Sequence, residues 1–178
     1  MQGNLIKELP LEIWKIRRLS ILNLTSNLID SFCRPNVDDP IFHFDTVNTQ
    51  NRLSKPVITD GSNPTGDVVD VPIPNNFPPI SHTLTHLYIS NNRLSDDFYL
   101  SLYYMCSLQV LHVAFNDISD ITPWVVSLPT PVPITAWFLR LRELQLSGNT
   151  ISSLPAEIEK MRSLTWLFLN GNKLSTVP

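Results

Sequence analysis

The sequence predicts an α/β solenoid in which like units stack to form a parallel concave sheet, and two observations carry that prediction. The pattern LxxLxLxxNxL recurs five times: Leu19 to Ile29, Leu84 to Leu94, Leu108 to Ile118, Leu141 to Ile151 and Leu164 to Leu174. The turn asparagines also keep a fixed spacing, with Asn4 to Asn27 and Asn149 to Asn172 each 23 residues apart. A unit repeated at constant period is one supersecondary element stacked on the next.

The pattern is that of a leucine-rich repeat. Period-two alternation in the clearest copy turns Leu164, Leu167 and Leu169 inward and Trp166, Phe168 and Asn170 outward, so inward aliphatics of neighbouring units share a core. Asn27, Asn92, Asn116, Asn149 and Asn172 sit where the chain leaves each strand. Their amides both donate and accept, and so satisfy backbone groups otherwise orphaned at the turn; in such arrays they form a structural ladder. The return half of each unit is legible in LPLEIWKIRRL (Leu9 to Leu19) and LPAEIEKMRSL (Leu154 to Leu164), which place apolar residues at helical spacing after a proline in the first turn.

The array comprises about five to six units, with repeats expected over 1–32, 81–122 and 138–178. Two interruptions separate them. Asn27 to Asn92 spans 65 residues, and the stretch 33–80 carries eight prolines, a single leucine, and six aspartates against three basic residues. That composition predicts a disordered insertion on the convex side. The second interruption stretches Asn116 to Asn149 to 33 residues, and its four prolines predict a loop over 123–137. The first unit lacks its strand and the last stops before its return helix, so the sequence predicts an array uncapped at both ends.

Composition narrows the function. Net charge is -3 with both signs scattered, so there is no basic stripe for a nucleic-acid backbone. Cys33 and Cys106 are too few for a disulfide framework. No stretch approaches the roughly 18 apolar residues of a membrane span, and the N-terminus has no apolar signal region. These features predict a reduced, intracellular compartment and so a cytoplasmic protein.

Neither a phosphate-binding glycine loop nor a CxxC or HExxH metal motif is present, so no catalytic residue, metal or cofactor is expected in this chain. Asp96 and Asp97 are expected to cap the next helix. What remains is the outward strand face. Its central ladder is Asn23, Tyr88, His112, Gln145 and Phe168, flanked by Ile21, His86, Val110, Glu143 and Trp166, and by Thr25, Ser90, Ala114, Ser147 and Asn170. The face is nearly uncharged and rich in rings, the composition of protein-interface anchors. Tyr88, His112, Gln145, Phe168, Trp166 and His86 are the candidate contacts; the alternative is that the rings simply cover the sheet.

The succession NLTSNLIDSF, a long insertion, then LTHLYISNNRLSDDFY, LQVLHVAFNDISDI, LRELQLSGNTISSLPAEIEKM and LTWLFLNGNKLSTVP resembles the leucine-rich repeat region of fungal adenylate cyclases. The resemblance implies a regulatory array through which GTP-loaded Ras engages the cyclase in cyclic AMP signalling. It also implies that a phosphatase-like domain and a magnesium-dependent class III catalytic domain lie further along a longer parent. Individual units also resemble plant Ras-group repeat proteins and repeat-bearing phosphatases. An independent intracellular repeat scaffold, or a phosphatase-associated repeat segment, is therefore the alternative.

Overall fold

The computed structural model describes residues 1–33, 35, 77–125 and 139–176. Five three-residue strands form its concave side: β1 (Ile21–Asn23), β2 (His86–Tyr88), β3 (Val110–His112), β4 (Glu143–Gln145) and β5 (Trp166–Phe168). They pair in parallel in sequence order, which requires each connection to cross over, and the return half of each unit supplies that crossover. The register is constant. Ile21, His86, Val110, Glu143 and Trp166 form one row across the sheet, and Asn23, Tyr88, His112, Gln145 and Phe168 another. Between these rows Leu22, Leu87, Leu111 and Leu144 are buried in a single core, whereas the equivalent Leu167 of β5 is 36% exposed.

The return segments are shorter and tighter than full helices. Leu11–Lys15 and Ala156–Lys160 are 3-10 turns entered from Pro10 and Pro155, which sit in extended geometry at the cap, one position ahead of the first helical turn. Proline fixes φ there and gives up no hydrogen bond the turn needs. The remaining returns are the 3-10 turns Pro79–His82 and Asp96–Phe98, the latter running into α1 (Tyr99–Leu102), and the single helical turn α2 (Thr122–Val125).

Both interruptions are narrower than composition suggests. The expected insertion over 33–80 has an ordered end, because Phe77 and Ile80 are buried and Pro79–His82 is a 3-10 turn. The expected proline loop over 123–137 begins inside α2, where Trp124 is buried in the main core. The physical reason is aromatic packing. Trp14, Phe32, Phe98 and Trp124 make a chain of ring contacts with centroids 5.5, 6.2 and 6.2 Å apart along the return side. Phe77 packs on Tyr103 and Tyr104 at 5.5 and 5.4 Å. Each such ring brings a large apolar area into the core, which anchors chain that proline content alone marks as loop. Residues 36–76 and 126–138 lie outside the described residues, as does any expectation that falls on them.

Where the chain leaves the first unit it is also pinned by polar bonds. Trp14 Nε1 donates to the Cys33 carbonyl at 2.7 Å and Ser101 Oγ donates to the Phe32 carbonyl at 2.8 Å. The strands on either side of the 65-residue spacing therefore still pair directly, β1 on β2.

The asparagine ladder is complete. Asn116, for example, accepts from the Leu94 N–H at 3.0 Å, and its amide donates to the carbonyls of Ile89 at 3.2 Å and Val113 at 3.0 Å. Asn92, Asn149 and Asn172 repeat this arrangement, each bonding one carbonyl of its own strand end and one of the preceding unit. Asn27 accepts from the Ile6 N–H and donates to the carbonyls of Leu24 and Met1.

A second tie between units involves Asp96, and it replaces the helix-capping role expected for this residue. Ser95 occupies the cap position. The Asp96 carboxylate instead accepts from the Ser119 N–H and hydroxyl, both at 2.7 Å, and from the Asp120 N–H at 3.0 Å, all in the following unit. Partial burial pushes its pKa up, but the bonds from Ser119 and Asp120 together outweigh that and hold it below the ordinary value of 3.8.

Two outcomes are expected. Asn116→Ala lowers unfolding stability by roughly 2–4 kcal/mol in denaturant titration, since each buried backbone group left without a partner costs about 1–3 kcal/mol. A depressed carboxylate pKa contributes stability that is full above the unfolded value and is lost as pH falls through the folded one. The stability difference between the wild type and Asp96→Ala should therefore be present at about pH 5 and close by about pH 2; a gap that persists unchanged to the acid end would assign the tie to something other than the carboxylate.

Candidate functional site

Three-residue strands give the concave face its simplicity. Within each, the first and third side chains point out and the second points in, so the constant register turns two positions into two rows. The six candidate residues all lie on this face. His86, Tyr88 and His112 come together: Tyr88 meets His112 edge to face with centroids 4.8 Å apart, and His86 lies 6.3 Å from Tyr88. Trp166 and Phe168 form a separate pair on β5, near-parallel at 5° with centroids 6.3 Å apart. Gln145 lies between the two groups, and its Oε1 accepts from the Ser147 N–H of its own strand end.

Polar groups on the face are largely spoken for. His112 Nε2 is 2.8 Å from Glu143 Oε1, an ion pair when the imidazole is protonated and a hydrogen bond otherwise. His86 Nδ1 is 2.8 Å from the Thr85 hydroxyl. Asn23 Oδ1 accepts from the Thr25 N–H. Glu143 is the sole charged side chain in the three outward rows, and His112 already faces it. The surface therefore presents rings and neutral polar groups, chemistry suited to a protein surface.

Nothing in the described residues supports an alternative chemistry. Among them no group of three or more His, Cys, Asp or Glu residues is placed to hold a metal ion. Burial pushes the Cys106 thiol up to about 12 and raises that of Cys33, so neither supplies a thiolate nucleophile at neutral pH. Among the described residues no helix is long and apolar enough to cross a membrane.

Among the described residues one exposed ring lies outside the candidate set. Phe115 is 64% exposed and occupies the turn position before the ladder asparagine, where its φ is +53°. The signal was present in the repeat alignment, since Ser26, Asn91, Gly148 and Gly171 hold that position in the other units. Strand periodicity does not extend to it, because it lies beyond the third outward row.

Comparison with known proteins agrees with this geometry. Leucine-rich repeat family models match residues 83–105, 104–121 and 136–174. The structure of a leucine-rich repeat protein from Leptospira interrogans superposes with a TM-score of 0.53 at 27% sequence identity, covering 99% of this chain and 37% of that one. This chain is a leucine-rich repeat array. The array is similar along its whole length to the adenylate cyclase of Schizosaccharomyces pombe, with 26% identity over 184 residues, and it spans 9% of that protein. Repeats of this kind form protein-interaction modules.

Whether the rings are contacts or merely sheet cover is decided by their energetics. Trp166 is 59% exposed, so Trp166→Ser is expected to change unfolding stability by no more than about 0.5 kcal/mol. Leu144→Ala, in the buried row beside it, should cost about 2–5 kcal/mol. Equal losses in the two variants would make Trp166 a structural cover.

Proposed function

We propose that this array is the partner-binding segment of a fungal adenylate cyclase and that it recognises GTP-loaded Ras on its concave sheet, so acting in cyclic AMP signalling. The observation that carries the proposal is the ring-rich face itself. Tyr88, His112 and His86 form one aromatic cluster, Trp166 and Phe168 another, and the single carboxylate among them is already paired. The whole-length similarity to a cyclase supplies the context. On this reading the chain binds and does not catalyse. ATP conversion, and the magnesium it requires, belong to the catalytic domain of the longer parent. The array itself is cytoplasmic and reaches the plasma membrane through its partner.

The test is affinity of the purified chain for Ras loaded with a non-hydrolysable GTP analogue, compared with GDP-loaded Ras. Tyr88→Ala, His112→Ala and Phe168→Ala are each expected to weaken binding by roughly 10- to 30-fold, the effect of truncating an interface hot spot, with the far-ultraviolet spectrum unchanged. Full affinity in all three would sink the site assignment. Equal affinity for the two nucleotide states would favour an independent repeat scaffold.

A further inference from the structure

Charges that look scattered along the sequence are sorted by the fold. Each unit enters its strand from the return side and leaves it at the ladder asparagine. The entry segments 16–20, 83–85, 107–109, 139–142 and 161–165 carry five arginines, Arg17, Arg18, Arg140, Arg142 and Arg162, and no carboxylate. Beyond the ladder asparagines the sign reverses. All five aspartates among the described residues lie there, Asp30, Asp96, Asp97, Asp117 and Asp120, with Arg93 and Lys173 as the cations of those four later units. Glu12, Glu157 and Glu159 belong to the return turns, which they share with Lys15 and Lys160.

The entry edge is a continuous border of the sheet. Backbone N–H groups of Thr85, Gln109, Arg142 and Thr165 donate in turn to the carbonyls of Ser20, Thr85, Gln109 and Arg142. Trp166 N–H also donates to the Arg142 carbonyl, at 2.9 Å, which seats that arginine beside the first residue of β5. Arg18, Arg142 and Arg162 are exposed, and so is Trp166. Arginine and tryptophan are the residues most enriched where interfaces concentrate their energy. Glu143, the next residue in from Arg142, is turned to His112 at 2.8 Å. On the exit side Asp30, Asp97, Asp117 and Asp120 are exposed. A strand and its turn separate the two edges by roughly 20 Å at about 3.3 Å per residue. The screening length at physiological salt is about 8 Å. Each edge therefore acts on a different part of whatever lies on the rings between them.

We infer that the partner docks with a carboxylate-bearing protein segment along the arginine edge, and that the aspartate edge rejects the reversed orientation. Every cation in the entry segments is an arginine, whose planar fork pairs with carboxylate oxygens two at a time. A uniformly anionic surface, such as a membrane or a nucleic-acid backbone, would meet the aspartates as well as the arginines when laid across the face. A protein with carboxylates on one side only meets no such repulsion. The inference rests on the reading that the ring-bearing face binds GTP-loaded Ras, and it adds the direction of docking and the charge of the docked segment.

The experiment uses the full chain and three variants. One combines Arg18→Glu, Arg142→Glu and Arg162→Glu; a second replaces the same arginines by lysine; a third combines Asp97→Asn and Asp117→Asn. All should melt within about 2 °C of the wild type, because the substituted side chains are exposed. Association with Ras carrying a non-hydrolysable GTP analogue is followed at low and high salt. The glutamate variant is expected to associate about 10-fold more slowly at about 0.15 M salt, and within about twofold of wild type at about 1 M. The lysine variant keeps the charge and should stay within about threefold, while the asparagine variant associates as fast as the wild type or faster. Binding of poly-L-glutamate reads the edge without Ras: the wild type should bind it and the glutamate variant should not, and neither should bind vesicles of phosphatidylcholine and phosphatidylserine. An unchanged association rate in the glutamate variant would overturn the inference and leave the Ras reading in place. Slower association in the asparagine variant would overturn the orientation. Vesicle binding that the glutamate variant loses would assign the edge to a phosphate surface and overturn the protein occupant. A wild type that binds poly-L-glutamate but not Ras would remove the Ras reading alone, and one that binds neither would remove both.

Discussion

Every unit of this array leans on one side-chain amide. Each ladder asparagine uses its oxygen to accept a backbone N–H from the preceding unit, and its nitrogen to donate to carbonyls of both units. No helix or sheet bond is available to those groups, because the chain turns out of a three-residue strand just there. An unpaired backbone group so close to the core is expensive, and no other short side chain combines donor and acceptor in this planar form. Strand register, the in-and-out alternation of side chains and the rows of the concave face all follow from holding successive turns in this lock.

The lock explains how the array tolerates interruption. A spacing of 65 residues separates Asn27 from Asn92, yet β1 and β2 pair in register and Asn92 bonds the Leu24 carbonyl as if the units were contiguous. What holds the return side together across that gap is a different interaction, the chain of rings from Trp14 through Phe32 and Phe98 to Trp124. Edge-to-face and tilted contacts between large rings bury enough apolar area to replace regular helix packing. The concave and convex sides are thus secured by separate chemistry, and the convex side is free to carry added chain.

That division of labour leaves the concave face available for binding. Its three-residue strands commit only the central side chain to the core, so the outer two vary without disturbing the fold. The Tyr88–His112 pair uses that freedom at positions the fold leaves neutral.

The repeating apolar pattern and the constant asparagine spacing determined the solenoid, the order and parallel sense of its strands, and the two ring-bearing rows, because each depends only on period and on chemistry local to the unit. The placement of the six candidate residues on the outward face was legible for the same reason. Tertiary structure alone decided the rest. Asp96 was expected to cap its own helix, but the following unit brings the N–H groups of Ser119 and Asp120 to its carboxylate. Proline content suggested loops where Phe77 and Trp124 are in fact buried, since composition does not reveal which distant rings will meet them. Phe115 is an ordinary residue in sequence; only the structure shows the positive φ that the turn imposes on it and the glycine of the next unit against its ring. Contacts between units are made by residues far apart in the chain, and a pattern read within one unit does not contain them.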